Sequence, residues 1–112
     1  MDLSYADYVI VFKALADETR LKIIDMLSHN ELCACKILEK FNITQPTLSY
    51  HMKILTESEL VIGVRDGAWM RYSLNQVKKK DLESFLMKVM SIKRTEQDGG
   101  ASCVCETKTG RD

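Results

Sequence analysis

The chain has no apolar run of membrane-spanning length, and its first eight residues lack the basic-then-apolar start of a secretory signal. Both absences lead to the expectation of a soluble, cytoplasmic protein with no membrane partner. Net charge is also absent: sixteen Lys and Arg cancel sixteen Asp and Glu. Gross charge therefore advertises neither nucleic acid nor a membrane surface, and any such partner must be argued from local patches. A length of 112 residues holds one small domain, which excludes an enzyme with separate cofactor and substrate domains. A core of that size also gains from a partner chain.

No cysteine lies between Cys33-Ala34-Cys35 and Cys103-Val104-Cys105. A small secreted protein would spread its cysteines to staple loops. Two pairs of identical spacing, with nothing marking export, read instead as reduced thiols that bind a metal or metalloid or do redox work. A thiol reductase is the competing enzyme class. It would carry a Cys-x-x-Cys or a single activated cysteine beside a phosphate-cradling loop. Neither is present, and His29 and His51 have no evident acidic orienter.

Helical spacing predicts a first helix from Leu3 to Ala16, with Tyr8, Phe12 and Leu15 along one stripe and Val9 and Ala16 beside them. Asp17 reads as the N-cap of a second helix, with Glu18 in its first turn and Leu21, Ile24 and Leu27 as its buried stripe. Ser28, His29 and Asn30 end it. A short third helix is predicted from about Cys33 to Lys40, burying Ile37 and Leu38, and Asn42 stops it. Thr44 begins a fourth, with Pro46 in the first turn, where a missing N–H does no harm. This helix carries Leu48, Met52 and Leu55 on one face.

After these helices, two strand-like runs, Leu60 to Arg65 and Ala68 to Leu74, flank Asp66-Gly67, the signature of a tight hairpin. A last helix, about Asn75 to Lys93, has a wide apolar face of Leu82, Phe85, Leu86, Val89 and Met90. Residues 94–112, with one large aliphatic (Val104), read as a flexible tail. The domain is thus residues 1–93 and the tail 94–112. The expected fold is mainly α with a small β-hairpin, ordered αααα-ββ-α: a winged helix-turn-helix.

No acidic residue occurs from Thr44 to Thr56. Opposite the apolar face of that helix stand Pro46, Tyr50 and Lys53, with Thr47 and Ser49 on the flanks. Such donors and acceptors without carboxylates suit a helix in a major groove beside phosphates, and equally suit an ordinary solvated face. Arg65 and Arg71 bracket the hairpin tip and are candidates for phosphate or minor-groove contact. Trp69 and Tyr72 read as packing residues.

The segment Phe12-Lys13-Ala14-Leu15-Ala16-Asp17-Glu18-Thr19-Arg20-Leu21 resembles the opening signature of the ArsR/SmtB family of winged-helix metalloregulatory repressors. Glu31-Leu32-Cys33-Ala34-Cys35 is similar to that family's metal-binding box, Gln45 to Lys53 to its recognition helix, and Gly67 to Tyr72 to the returning strand of its wing. The resemblance implies a homodimer, closed by the first and last helices and reading a palindromic operator in double-stranded DNA with two recognition helices about 34 Å apart. It further implies that Gln45, Ser49 and Tyr50 meet base edges or nearby phosphates; the polar face and the hairpin tip add Thr47, Lys53, Arg65 and Arg71 as supporting candidates. Arsenic(III) or antimony(III) is the implied inducer. Cadmium or lead, or oxidation of the thiols, remains open.

At the start of the predicted third helix, free N–H groups would favour the Cys33 and Cys35 thiolates. Residues two apart in a helix point about 200° away from each other. The expectation is therefore that both sulfurs grip one ion only if the first turn unwinds. The best-known arsenite box has a third cysteine where this chain has Leu38. Ten residues from Lys93 to Cys103 span up to about 35 Å, so Cys103 or Cys105, of either subunit, is the expected third ligand. The tail pair forming its own site, or scavenging ions, stays open. A zinc site on the last helix is unfavoured, since that helix has Asp81 and Glu83 but no histidine. The cadmium/lead arrangement with N-terminal cysteines lacks them, because residues 1–12 contain none.

Overall fold

The computed structural model describes residues 4–93. Ser4 caps helix α1 (Tyr5–Leu15) in a capping box with Asp7, and Asp17 caps α2 (Glu18–Leu27) through the Arg20 N–H. A two-residue strand β1 (Leu32–Cys33) leads directly into the single turn α3 (Ala34–Leu38). Thr44 caps α4 (Gln45–Glu57), which has Pro46 in its first turn. The strands β2 (Val61–Asp66) and β3 (Trp69–Leu74) form the hairpin, and Asn75 caps α5 (Gln76–Met90).

The hairpin closes at Asp66 opposite Trp69, so Gly67 and Ala68 form the two-residue loop. Gly67 takes φ +67°, which a residue with a Cβ rarely adopts and which suits the first central position of a hairpin turn. The hairpin belongs to a three-stranded antiparallel sheet, ordered β1-β3-β2. Leu32 and Cys33 pair with Tyr72 and Arg71. The extra strand is too short for alternation to reveal it; what forms it is the otherwise unpaired edge of β3.

The core gathers Ile23 and Leu27 of α2, Ile37 of α3, Leu48, Met52 and Leu55 of α4, and Val61, Tyr72 and Leu74 of the sheet. On α4 the predicted stripe is the buried one. On α2 only Leu27 of the predicted stripe is buried: Leu21 is 53% exposed and Ile24 half-buried, while Ile23 is fully buried. On α1 the buried residues are Tyr8, Val11 and Ala14; Phe12 and Leu15 are half-buried, and Val9 and Ala16 are exposed. Both corrections have one cause. These helices carry apolar residues on more than one side, so periodicity alone does not say which side meets α4.

Helix α5 buries no residue fully. Its Phe85 ring stacks on Tyr8, centroids 3.8 Å apart, with Tyr5 edge-on to it and Phe12 tilted beside it. Met87 and Met90 of α5 and Tyr5 and Ile10 of α1 remain more than half exposed. Among the described residues, no helix is long and apolar enough to cross a membrane.

Candidate functional site

Helix α4 shows solvent the face expected of it. Gln45, Pro46, Thr47, Ser49, Tyr50 and Lys53 are all exposed, with Tyr50 at 61%. Thr47 also helps hold the helix start. Its N–H donates to the Thr44 hydroxyl, and its own hydroxyl accepts from Thr44 at 3.0 Å. Gln45 and Ser49 line a groove of about 170 Å³ between α3, α4 and the wing, and Arg65 of β2 and Trp69 of β3 line it from the other side. The structure thus brings Gln45, Ser49 and Arg65 to one opening, with Tyr50 and Lys53 on the same helix.

Arg71 stands apart from that group. Its guanidinium donates to the Asp66 carboxylate from Nε at 3.1 Å and Nη2 at 2.7 Å. The Asp66 bond, helped more weakly by Glu31, holds Arg71 protonated even more firmly than usual. The arginine braces the wing tip across its own hairpin. Tyr72 is a core residue, as expected, and burial pushes its phenol pKa up. Trp69 is 41% exposed rather than packed away, because it sits at the hairpin mouth, where the core no longer reaches.

The first cysteine pair departs from its expected geometry. Cys33 is not a helical residue: it ends β1 and occupies the N-cap of α3 with extended backbone, φ −81° and ψ 158°. Cys35 is one residue inside α3. Because the chain turns from strand to helix between them, the two side chains converge, with Cα atoms 5.4 Å apart and the sulfurs paired as a disulfide. The 200° divergence of a continuous helix does not apply, and no turn need unwind to bring the sulfurs together. Cys33 makes no side-chain capping bond. Among the described residues, no group of three His, Cys, Asp or Glu side chains gathers as a metal site. Cys103 and Cys105 lie outside the described residues.

His51, expected to lack an acidic orienter, is on the buried face of α4 and 9% exposed. Its Nδ1 lies 3.1 Å from Arg20 Nη1 and 3.9 Å from the Asp17 carboxylate, so it does have an acidic neighbour. Chiefly the Arg20 N–H, with the Arg20 charge and the Thr19 N–H, holds the Asp17 carboxyl below the usual aspartate range, against an opposing push from burial. The Asp17 and Arg20 of the opening signature were the available signal: an arginine at N3 of one helix can reach a neighbouring helix as well as its own cap.

Known proteins share both sequence and architecture with this chain. Residues 17–62 match the family of bacterial regulatory proteins designated arsR. The arsenical resistance operon repressor of Staphylococcus aureus is 39% identical over 110 residues, covering 98% of this chain and 99% of that protein. That of Staphylococcus xylosus is 38% identical over 104 residues, 93% of each chain. The solved structure of HlyU from Vibrio cholerae superimposes with a TM-score of 0.65 at 29% identity, covering 80% of this chain and 98% of that one. With near full-length identity of this order, a matching family signature and the same winged fold, the chain belongs to the ArsR family of transcriptional regulators, which are not enzymes.

Proposed function

We propose that this protein is a cytoplasmic, homodimeric repressor that holds a palindromic operator through α4 and the wing, and releases it when Cys33 and Cys35 ligate arsenic(III) or antimony(III). The observation that carries this reading is the meeting of the two sulfurs at the β1–α3 junction. Soft thiolates select soft ions, and both relatives described above are named arsenical resistance operon repressors.

On the DNA side, Gln45, Ser49 and Tyr50 are the base-reading candidates. Thr47, Lys53 and Arg65 support them at phosphates. Arg71 supports them through the wing it braces as well as by direct contact. The exposed apolar faces of α1 and α5 supply the dimer interface, and two-fold symmetry sets the two α4 helices about one DNA turn apart.

The junction also supplies the coupling. Cys33 is hydrogen-bond-paired territory of the wing, directly across from Arg71, whereas Cys35 belongs to α3, which leads through a short turn into α4. Ligation of one ion by both sulfurs fixes the angle between β1 and α3, and with it the placement of the wing relative to α4. Operator affinity falls, and by reciprocity operator DNA weakens ligation by the same factor. A third sulfur comes from Cys103 or Cys105. If a chain truncated after Arg94 kept its arsenite affinity unchanged, the tail would have no part in the site.

The paired sulfurs favour one second reading. Two thiols and one peroxide give a disulfide and two waters, so oxidation of Cys33 and Cys35 is an alternative switch. Adding peroxide, or arsenite under reductant, to the operator complex separates the two. The main test is a fluorescence titration of operator-bound, reduced protein with arsenite, antimonite, cadmium, lead and zinc in turn. Release by arsenite or antimonite at the lowest concentration is expected. Release by none of the five contradicts the reading.

A further inference from the structure

Arg20 belongs to α2, yet two of its three side-chain nitrogens serve other helices. Its Nε donates to the Ala14 carbonyl of α1 at 2.6 Å, and its Nη1 to His51 Nδ1 of α4 at 3.1 Å, while its backbone N–H donates to the Asp17 carboxylate at 3.0 Å. The Ala14 carbonyl is one of the last four of α1, which have no partner within their own helix. His51 is the polar residue on an inner face that otherwise presents Leu48, Met52 and Leu55. A guanidinium cannot accept a hydrogen bond, so Nδ1 accepts and the imidazole proton resides on Nε2.

We propose that Arg20 is the positioning residue that sets the rotation of α4 against α1 and α2, and so the aim of its DNA-facing side chains. The proposal rests on the reading of α4 as the operator-reading helix. Apolar packing by Leu48, Met52 and Leu55 is non-directional and permits small rotations of α4. A hydrogen bond from a planar, preorganised fork does not. At a helix radius of about 5 Å, a rotation of about 20° displaces an outer side chain by about 2 Å. That is enough to lose a base-edge contact, whose length tolerates only a few tenths of an ångström. His51 faces inward while its neighbours Ser49 and Tyr50 face out, so fixing one fixes the others. Through Ala14 the same guanidinium ties α4 to α1, whose outer face is part of the proposed dimer interface.

The test is a double-mutant cycle on full-length, reduced protein, with Arg20→Gln, His51→Asn and the pair measured on operator and on non-specific duplex. Arg20→Gln should weaken operator binding about tenfold or more and non-specific binding less than about threefold, because phosphate contacts tolerate rotation better than base contacts. Arg20→Lys should fall between, since it keeps the charge but not the fork. The losses in the double variant should be clearly less than additive. The wild-type His51 ring should show the Nε2–H tautomer by ¹⁵N NMR, and its Nδ1 resonance should move in Arg20→Gln. If Arg20→Gln does not fold, Arg20→Lys carries the same comparisons. Equal losses on both DNAs, additive losses, or an unmoved Nδ1 resonance would overturn the proposal. A wild-type protein that prefers no DNA sequence would instead sink the functional reading, and the NMR result would still decide the role of Arg20.

Discussion

Asp17 shows how much one residue does here. It caps α2, pairs with the Arg20 N–H and faces His51. Replacing it with Ala removes the cap and should cost about 1 kcal/mol of stability, read by thermal or urea unfolding. Its carboxyl pKa is lowered in the folded protein. Its contribution is therefore complete above the unfolded aspartate value of about 4 and fades as pH falls through the lower folded value. The stability gap between wild type and Asp17→Ala should accordingly shrink on acidification below about pH 4. A gap that widened there would have the wrong sign. Gly63 is a second such position. A Cβ built on it would stand 2.9 Å from the Tyr72 ring and 3.2 Å from the Met70 terminal methyl. Gly63→Ala should therefore destabilise by about 1–3 kcal/mol through overpacking of the sheet. The Asp17 cap of α2 was legible in the sequence, because a cap is local chemistry. The partners of His51 were not, since a contact spanning 31 positions leaves no periodic trace.

At the scale of elements, the wing and α4 followed from pattern: an Asp-Gly pair between strand-like runs, and Leu48, Met52 and Leu55 at helical spacing. The buried stripes of α1 and α2 followed only at Tyr8 and Leu27, because two apolar sides compete and only packing decides between them. The cysteine pair is the most instructive miss. Reading Cys33 as helical followed from the run Cys33 to Lys40, whereas pairing of Leu32 and Cys33 with β3 draws that residue into the sheet. In the proposed switch, a junction between strand and helix therefore takes the place of a helix that must unwind. On the wing, Arg65 is exposed and has a free line to the groove it shares with Gln45 and Ser49. Arg65→Ala should weaken operator binding and lower the slope of log affinity against log salt by about 1 per protomer, as expected for one lost phosphate contact. An unchanged slope would remove Arg65 from the interface.

At the scale of the whole molecule, the described chain leaves Tyr5, Ile10, Met87 and Met90 exposed along α1 and α5, around an aromatic cluster centred on Phe85. The apolar excess of the last helix was visible in the sequence; which residues of α1 join it was not, because that depends on how the two helices meet. Introducing charge there, as in Met87→Glu with Ile10→Glu, should convert a dimer of twice 12.8 kDa into a monomer, as sedimentation would measure. Operator affinity should then fall about a hundredfold through loss of the second half-site contact. A double variant that remained dimeric would place the interface elsewhere.

The link from thiols to DNA is tested most directly by arsenite titration of the operator complex under reductant, comparing wild type with the Cys33→Ser, Cys35→Ser double variant by fluorescence anisotropy. Both should bind operator with similar affinity before addition, since serine keeps the backbone pairing of position 33 with β3 and neither residue lies on α4. Arsenite should release the wild type and leave the variant bound. A variant that still lets go of its operator when arsenite is added would contradict the account.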